Sequence, residues 1–217
     1  SQVATASVAA HGGALVWKYY YSADLLTKVC DPRDNSQTGK CEVYGYDGSG
    51  RMTTITGVAG NVHTTLTYDG SNRVLTLKNA YNNTWTYSYA ASDITITPPA
   101  PSPPFSVRRT TVTDARGNIV FYDFDAARRL VHRVDSYTKE RWYTYDGNGF
   151  LAQTINELGE VEQYLNDEQG NVTRRTDAAN QFWDSTFDTN GHMTMTEDPF
   201  DHGPTFTYSA TTGFKLT

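Results

Sequence analysis

Asp123 with Asp125, and Glu160 with Glu162, place two carboxylates two residues apart. On a strand such a pair shares one face. One acid protonating a leaving group beside a second, nucleophilic carboxylate would make a glycoside hydrolase. That chemistry needs a singular pocket that drives two pKa values apart, and these carboxylates instead recur along the chain. His11, His63, His132, His192 and His202 share no metal-ligand spacing, and no Ser, His and Asp set can be assembled from fixed positions. The turns are rich in Asp and Gly, but one Asp per four residues is too few ligands for calcium. No catalytic, cofactor-binding or metal-binding residue is therefore assigned, and no cofactor is expected. Trp17, Trp85, Trp142 and Trp183, with the repeated tyrosines, could offer flat rings to sugars, which keeps a carbohydrate-binding or adhesive cell-surface module as the alternative.

The 217 residues carry a net charge of −6 and are 13% aromatic. Mild acidity and scattered basic pairs (Arg108-Arg109, Arg128-Arg129, Arg174-Arg175) argue against a nucleic-acid partner. No run of 18 apolar residues offers a membrane span. The chain opens at Ser1 without a charged, apolar leader, and neither end reads as a cap, so an excised stretch of a longer chain is expected. Cys30 and Cys41 stand at the feet of a polar loop without zinc spacing, and read as a possible disulfide in an oxidising compartment.

The elements that position these residues are set by a period. Phe124-Asp125, Tyr145-Asp146, Asn166-Asp167, Phe187-Asp188 and Tyr208-Ser209 each begin 21 positions after the last (145−124, 166−145, 187−166, 208−187). Asp114, Asp135, Asn156, Asp177 and Asp198 keep the same step between them (135−114, 156−135). Two turns per repeat follow. Upstream, Tyr46-Asp47, Tyr68-Asp69 and Tyr89-Ala90 continue the series, with Tyr21-Ser22 as a degenerate first marker. Such a period marks an array in which each unit buries its apolar surface against its neighbours.

Counting the Asp, Asn or other residue at each marker as position one, Gly falls at position four at Gly50, Gly60, Gly117, Gly149, Gly159, Gly170 and Gly191, and Asn at Asn72, Asn82 and Asn180. An acidic or amide side chain caps a type I turn, and a left-handed residue closes the hairpin with a bulge. Strands of six or seven residues remain. Aromatics precede the turn, as Tyr143 and Tyr145 do, and an aliphatic residue follows it at Met52, Val74, Leu130, Leu151, Val172 and Met193. Rows of aromatics should lie against rows of aliphatics. Loop insertions fall near 31–41 and 91–107, the second holding Pro98-Pro99-Ala100-Pro101-Ser102-Pro103-Pro104, which should leave the sheet as a stiff excursion, a spacer or plug against a neighbouring surface.

Tyr46-Asp47-Gly48-Ser49-Gly50-Arg51-Met52 and Tyr145-Asp146-Gly147-Asn148-Gly149-Phe150-Leu151 resemble the YD motif of the RHS-repeat family, and Asp114-Ala115-Arg116-Gly117-Asn118 and Asp167-Glu168-Gln169-Gly170-Asn171 its Asp-x-x-Gly-Asn form. That family includes bacterial RHS polymorphic toxins, wall-associated proteins, toxin-complex shell subunits and teneurins. The resemblance implies an all-β fold of tandem β-hairpin YD repeats in a curved or spiralling antiparallel sheet, a segment of an RHS shell. It implies a secreted or cell-surface protein whose shell encloses or displays a toxin or effector. Partners would be the remainder of its own parent chain, an enclosed effector and cell-surface glycans. The self-cleaving core of the family has no counterpart here, so no catalytic residue carries over. Residues 1–217 are expected to form one array of eight to nine repeats. Its structural positions are Tyr46, Asp47, Gly50, Tyr68, Asp69, Phe124, Asp125, Tyr145, Asp146, Gly149, Asp167, Gly170, Asp188 and Gly191.

Overall fold

Short strands rich in Tyr, Thr and Val, each cut off by a turn, give an all-β structure of antiparallel hairpins. A computed structural model describes residues 2–10, 13–31, 41–209, 213 and 215, so His11 and the loop residues 32–40 lie outside the described residues. Among the described residues there are eighteen strands and no helix. They group into two compact units, one of residues 1–88 with 111–119, the other of 89–110 with 120–217.

The first unit opens with a long hairpin of β1 (Gln2–Ala10) and β2 (Gly13–Ser22). It continues as a meander through β3 (Leu25–Cys30), β4 (Cys41–Tyr46), β5 (Met52–Thr56), β6 (Val62–Tyr68), β7 (Val74–Asn79) and β8 (Thr84–Tyr89), consecutive strands pairing. Cys30 and Cys41 face each other across β3 and β4, buried and joined by a disulfide with Cα atoms 4.0 Å apart. The turn at Tyr21-Ser22 departs from the four-residue pattern. Ala23 and Asp24 both take positive φ, 48° and 64°, between paired Ser22 and Leu25, so this hairpin closes on two residues in the manner of a type I′ turn.

β9 (Ile94–Ile96) pairs with the start of β10 (Phe105–Thr113), which leads into the second unit's meander. Its strands are β11 (Ile119–Phe124), β12 (Leu130–Val134), β13 (Glu140–Tyr145), β14 (Leu151–Ile155), β15 (Val161–Asn166), β16 (Val172–Thr176), β17 (Phe182–Phe187) and β18 (Met193–Glu197). The stretch 91–107 is thus not simply an excursion from the sheet. Its prolines at 98–104, which have few N–H groups to donate, do lie outside the strands. The flanking Ile94, Ile96, Phe105 and Val107 alternate, however, so they zip into a short hairpin that buries its own apolar face. Ile96 and Val107 join Val131 and Trp142 in the buried core, with Val107 only 2% exposed.

The marker turns at Asp47, Asp69, Asp146, Asp167 and Asp188 share one geometry. At Asp146, Oδ1 accepts the backbone N–H groups of Asn148 and Phe150 at 2.9 Å each, Gly149 N–H donates to Asp146 O at 3.0 Å, and Asp146 N–H donates to Phe150 O at 2.8 Å. The ladder then shifts register between Thr144 and Tyr145, the bulge expected when a type I turn ends on a left-handed residue. Strands after these turns, such as β12, β14, β16 and β18, have five residues rather than six or seven. Glycine is favoured at Gly170, where φ is +87° and an added Cβ would stand 2.5 Å from Cε1 of Phe150 in the preceding repeat unless that ring moved.

The turn is strong enough to force side chains that dislike it. Arg128, Thr138 and Asp201 occupy position four with φ of 64°, 61° and 60°. A left-handed conformation costs an L-residue about 1–2 kcal/mol, and more for a β-branched one, whereas glycine's extra chain entropy costs about 0.5–1 kcal/mol. Thr138→Gly should therefore raise stability by about 0.5–1 kcal/mol. Urea unfolding of the two forms checks this; an unchanged or lower midpoint would show that the exposed threonine is not strained.

Candidate functional site

The repeat positions use their side chains on one another. Tyr46 stands opposite Met52, Tyr68 opposite Val74, Phe124 opposite Leu130, Tyr145 opposite Leu151, Asn166 opposite Val172 and Phe187 opposite Met193. Each first strand residue after a marker turn lies beyond the last ladder pair with the following strand. The β12–β13 ladder, for instance, ends at His132 with Trp142. Its carbonyl is left without a strand partner, and burying such a group unpaired is costly. Where the next marker is tyrosine or asparagine, its side chain supplies the donor. Tyr145 Oη donates to Leu130 O at 2.8 Å, Tyr46 to Leu26 O at 2.7 Å, Tyr68 to Met52 O at 2.5 Å and Tyr208 to Met193 O at 2.8 Å. At Asn166 the amide does the same work, Nδ2 donating to Leu151 O at 2.9 Å. This is why the marker aromatic is usually tyrosine and why asparagine can replace it.

The turn side chains lock the same joint from the other side. Arg129 Nε donates to Asp125 Oδ2 at 2.8 Å while its guanidinium lies 4.6 Å from the centre of the Tyr145 ring. Arg51 binds Asp47 and lies 4.8 Å from the Tyr68 ring. His192 binds Asp188 and stacks on Tyr208 at 4.6 Å. Asp167 holds Asn171, and Asp69 holds Arg73. The backbone N–H of Arg51, then its guanidinium, holds the Asp47 carboxyl below the usual range, and the N–H and ring of His192 do so for Asp188. At Tyr68, Tyr145 and Tyr208 a repeat is thereby fastened to its neighbour by one hydroxyl, one cation or ring, and one aspartate. Tyr145→Phe, which keeps the ring and deletes only the hydroxyl, should lower stability by about 1 kcal/mol. A midpoint unchanged in urea would mean the Leu130 carbonyl finds water instead.

One cluster breaks the repetition. Asp123 is fully buried, receives two bonds from Arg109 (Nε at 2.7 Å, Nη2 at 2.8 Å) and a third from His132 Nδ1 at 2.9 Å. The His132 ring stacks on Trp142 at 3.9 Å. Its Nε2 is buried without a hydrogen bond, 3.5 Å from the Glu140 carboxylate, which also accepts Trp142 Nε1 at 3.3 Å. Burial alone would raise the Asp123 pKa, but Arg109 and His132 outweigh it and hold the carboxyl below the usual range. The apolar hairpin residues Ile96 and Val107 pack beside this cluster, in the same core as Trp142.

Such an aspartate and histidine could orient a general base, but Nε2 faces a carboxylate and an indole, and no hydroxyl or thiol is bonded to it. The arrangement is a buried ion-pair anchor. Asp123 and Asp125 do not act as a pair either. The register shift after Asp123 separates them, and Asp125 caps its own turn through the Arg129 N–H at 2.9 Å. Glu160 accepts from Asn156 and Glu162 pairs with Arg175 and Tyr164, again in separate contacts. Sequence reasoning weighed Asp123 only beside Asp125, His132 only among the five histidines and Arg109 only as half of a basic pair, and no spacing in the sequence signals that the three meet.

Antiparallel hairpins locked tyrosine to carbonyl define a structural repeat protein. The RHS Repeat family model matches residues 20–62 and 46–84. No curated protein sequence matches it. Its fold is that of the crystal structure of TcdB2-TccC3-TEV, with a TM-score of 0.54 and 14% identity over 99% of this chain and 12% of that one. The crystal structure of TcdB2-TccC3 without its hypervariable C-terminal region gives a TM-score of 0.51 and 12% identity, covering 99% of this chain and 13% of that one. The chain spans about an eighth of the chains it resembles.

Proposed function

We propose that this chain is a stretch of wall in a large extracellular RHS-repeat protein, one array over residues 1–217 that helps enclose a polypeptide carried by its parent chain. The observation that carries this reading is that the recurrent side chains are consumed in joining repeats: marker hydroxyls bond backbone carbonyls and turn aspartates bond backbone N–H groups. Repetition of that kind builds surface. The likeness in fold to TcdB2-TccC3, one form of which is described as lacking a hypervariable C-terminal region, supports a wall accompanied by a variable segment. The glycan-binding alternative draws no support from Trp142, which is 7% exposed and covered by His132, or from Tyr145, whose ring lies under Arg129.

Limited proteolysis of the parent protein tests the proposal. A polypeptide behind the wall should resist protease in the wild type and become cleavable when Tyr145→Ala and Trp142→Ala loosen the joints. Equal digestion of all segments outside the repeats in both forms would overturn it.

A further inference from the structure

The two rows of turns in the second unit differ in one respect that the fold does not require. At position three the marker row carries Ala127, Asn148, Gln169 and Asn190, whereas the other row, at the opposite ends of the strands, carries Tyr137, Leu158, Ala179 and Phe200. Tyr137 is 80%, Leu158 79% and Phe200 72% exposed. None of the three packs in the buried core, and position three contributes only its backbone N–H to the turn. Large apolar side chains at solvent-facing tips gain nothing for folding, since the turn accepts any residue there.

Successive turns of one row are two strands apart, so the tips recur about every 10 Å. Three such side chains present about 400 Å² of apolar surface in total, in a row about 30 Å long, half of one side of a standard interface. The crest is also acidic: Asp135, Glu160, Asp177, Asp198 and Asp201 flank the tips, against Lys139 and His202, while Glu157 is paired with Arg141 and near Arg133. A second copy of this row or an anionic membrane would bring like charge to like charge. A cationic partner would not.

We propose that this crest is a docking edge for a basic, amphipathic polypeptide segment that seats its apolar face on Tyr137, Leu158 and Phe200 and its lysines or arginines on the flanking carboxylates. The inference concerns the outer turns and stands apart from what the wall encloses. It is tested on the purified chain with a synthetic leucine–lysine peptide of about 20 residues, about 30 Å long as a helix and so able to span the three tips. Fluorescence anisotropy should show saturable binding with a Kd of about 10–100 µM, consistent with a patch of this size. Binding should weaken as salt rises, and should weaken at least tenfold for Tyr137→Ser/Leu158→Ser/Phe200→Ser and for a serine–lysine peptide of equal charge. The triple variant alters only exposed tips, so its circular dichroism and melting should match the parent's. Equal binding by the triple variant, or equal binding of the serine–lysine peptide, would overturn the proposal. Sedimentation showing self-association that the triple variant abolishes would also overturn it, assigning the crest to a second copy instead.

Discussion

Asp123→Ala should destabilise the second unit by about 3 kcal/mol or more. Removing one member of a buried ion pair typically costs about 3–5 kcal/mol, because the partner is left buried and uncompensated. Here the charge left behind is that of Arg109, whose side chain is 26% exposed and can turn to water, while the ring of His132, which is 4% exposed, loses its Nδ1 partner and cannot. The cost should therefore fall near the lower end of that range. Urea unfolding followed by tryptophan fluorescence measures it, Trp142 being the reporter stacked on His132. A loss under about 1 kcal/mol would show that solvent already screens the cluster.

The same residue sets a pH dependence of definite sign. Burial opposes ionisation of Asp123, but Arg109 and His132 more than offset it, so the folded pKa lies below the unfolded value of about 3.9. A carboxyl with a depressed folded pKa contributes stability that is complete above the unfolded value and is lost as pH falls through the folded one. The turn aspartates add to this. The N–H and guanidinium of Arg73 lower Asp69, the side-chain amides of Asn118 and Asn171 lower Asp114 and Asp167, and the N–H groups of His202 and Phe200 lower Asp198. Stability should be flat from about pH 5 upward as far as these groups are concerned, and fall steeply below about pH 4. In Asp123→Asn the acid slope should be shallower, since one such proton no longer binds on unfolding.

Trp142→Ala should cost about 3–5 kcal/mol, the usual range for deleting a buried large aromatic. The indole shares one buried core with Ile96, Val107 and Val131, stacks on the His132 ring, and donates to Glu140. Its loss removes the surface against which the β9–β10 hairpin packs. Besides a lower urea midpoint, the variant should gain a protease cut within the loop 97–104, which lies outside the strands. A comparable loss of stability with that loop still resistant would mean that Ile94, Phe105 and Val107 hold the hairpin down without Trp142.

The turns and their rows were legible in the sequence because they are local. An aspartate that binds N–H groups two and four residues on, and a left-handed residue at position four, are fixed by a five-residue window, so Asp47, Asp146 and Gly149 announce themselves. The hydroxyl of Tyr145 was harder, because its partner is a backbone carbonyl 15 residues away that carries no side-chain signature. Arg128 and Thr138 hid two of the left-handed positions, since tertiary pairing overrides their own preference. The Arg109–Asp123–His132 cluster and the docking of Ile96 and Val107 were not legible at all. They join residues from strands whose spacing obeys no period, so the chain around the prolines read as an excursion when its flanks form a core.

Cryo-electron microscopy of the parent protein tests the central claim most directly. The account predicts residues 41–209 as consecutive hairpins in a continuous wall, with density for another polypeptide segment on its enclosed side. The same hairpins standing with both faces in solvent, and no polypeptide beside them, would contradict it.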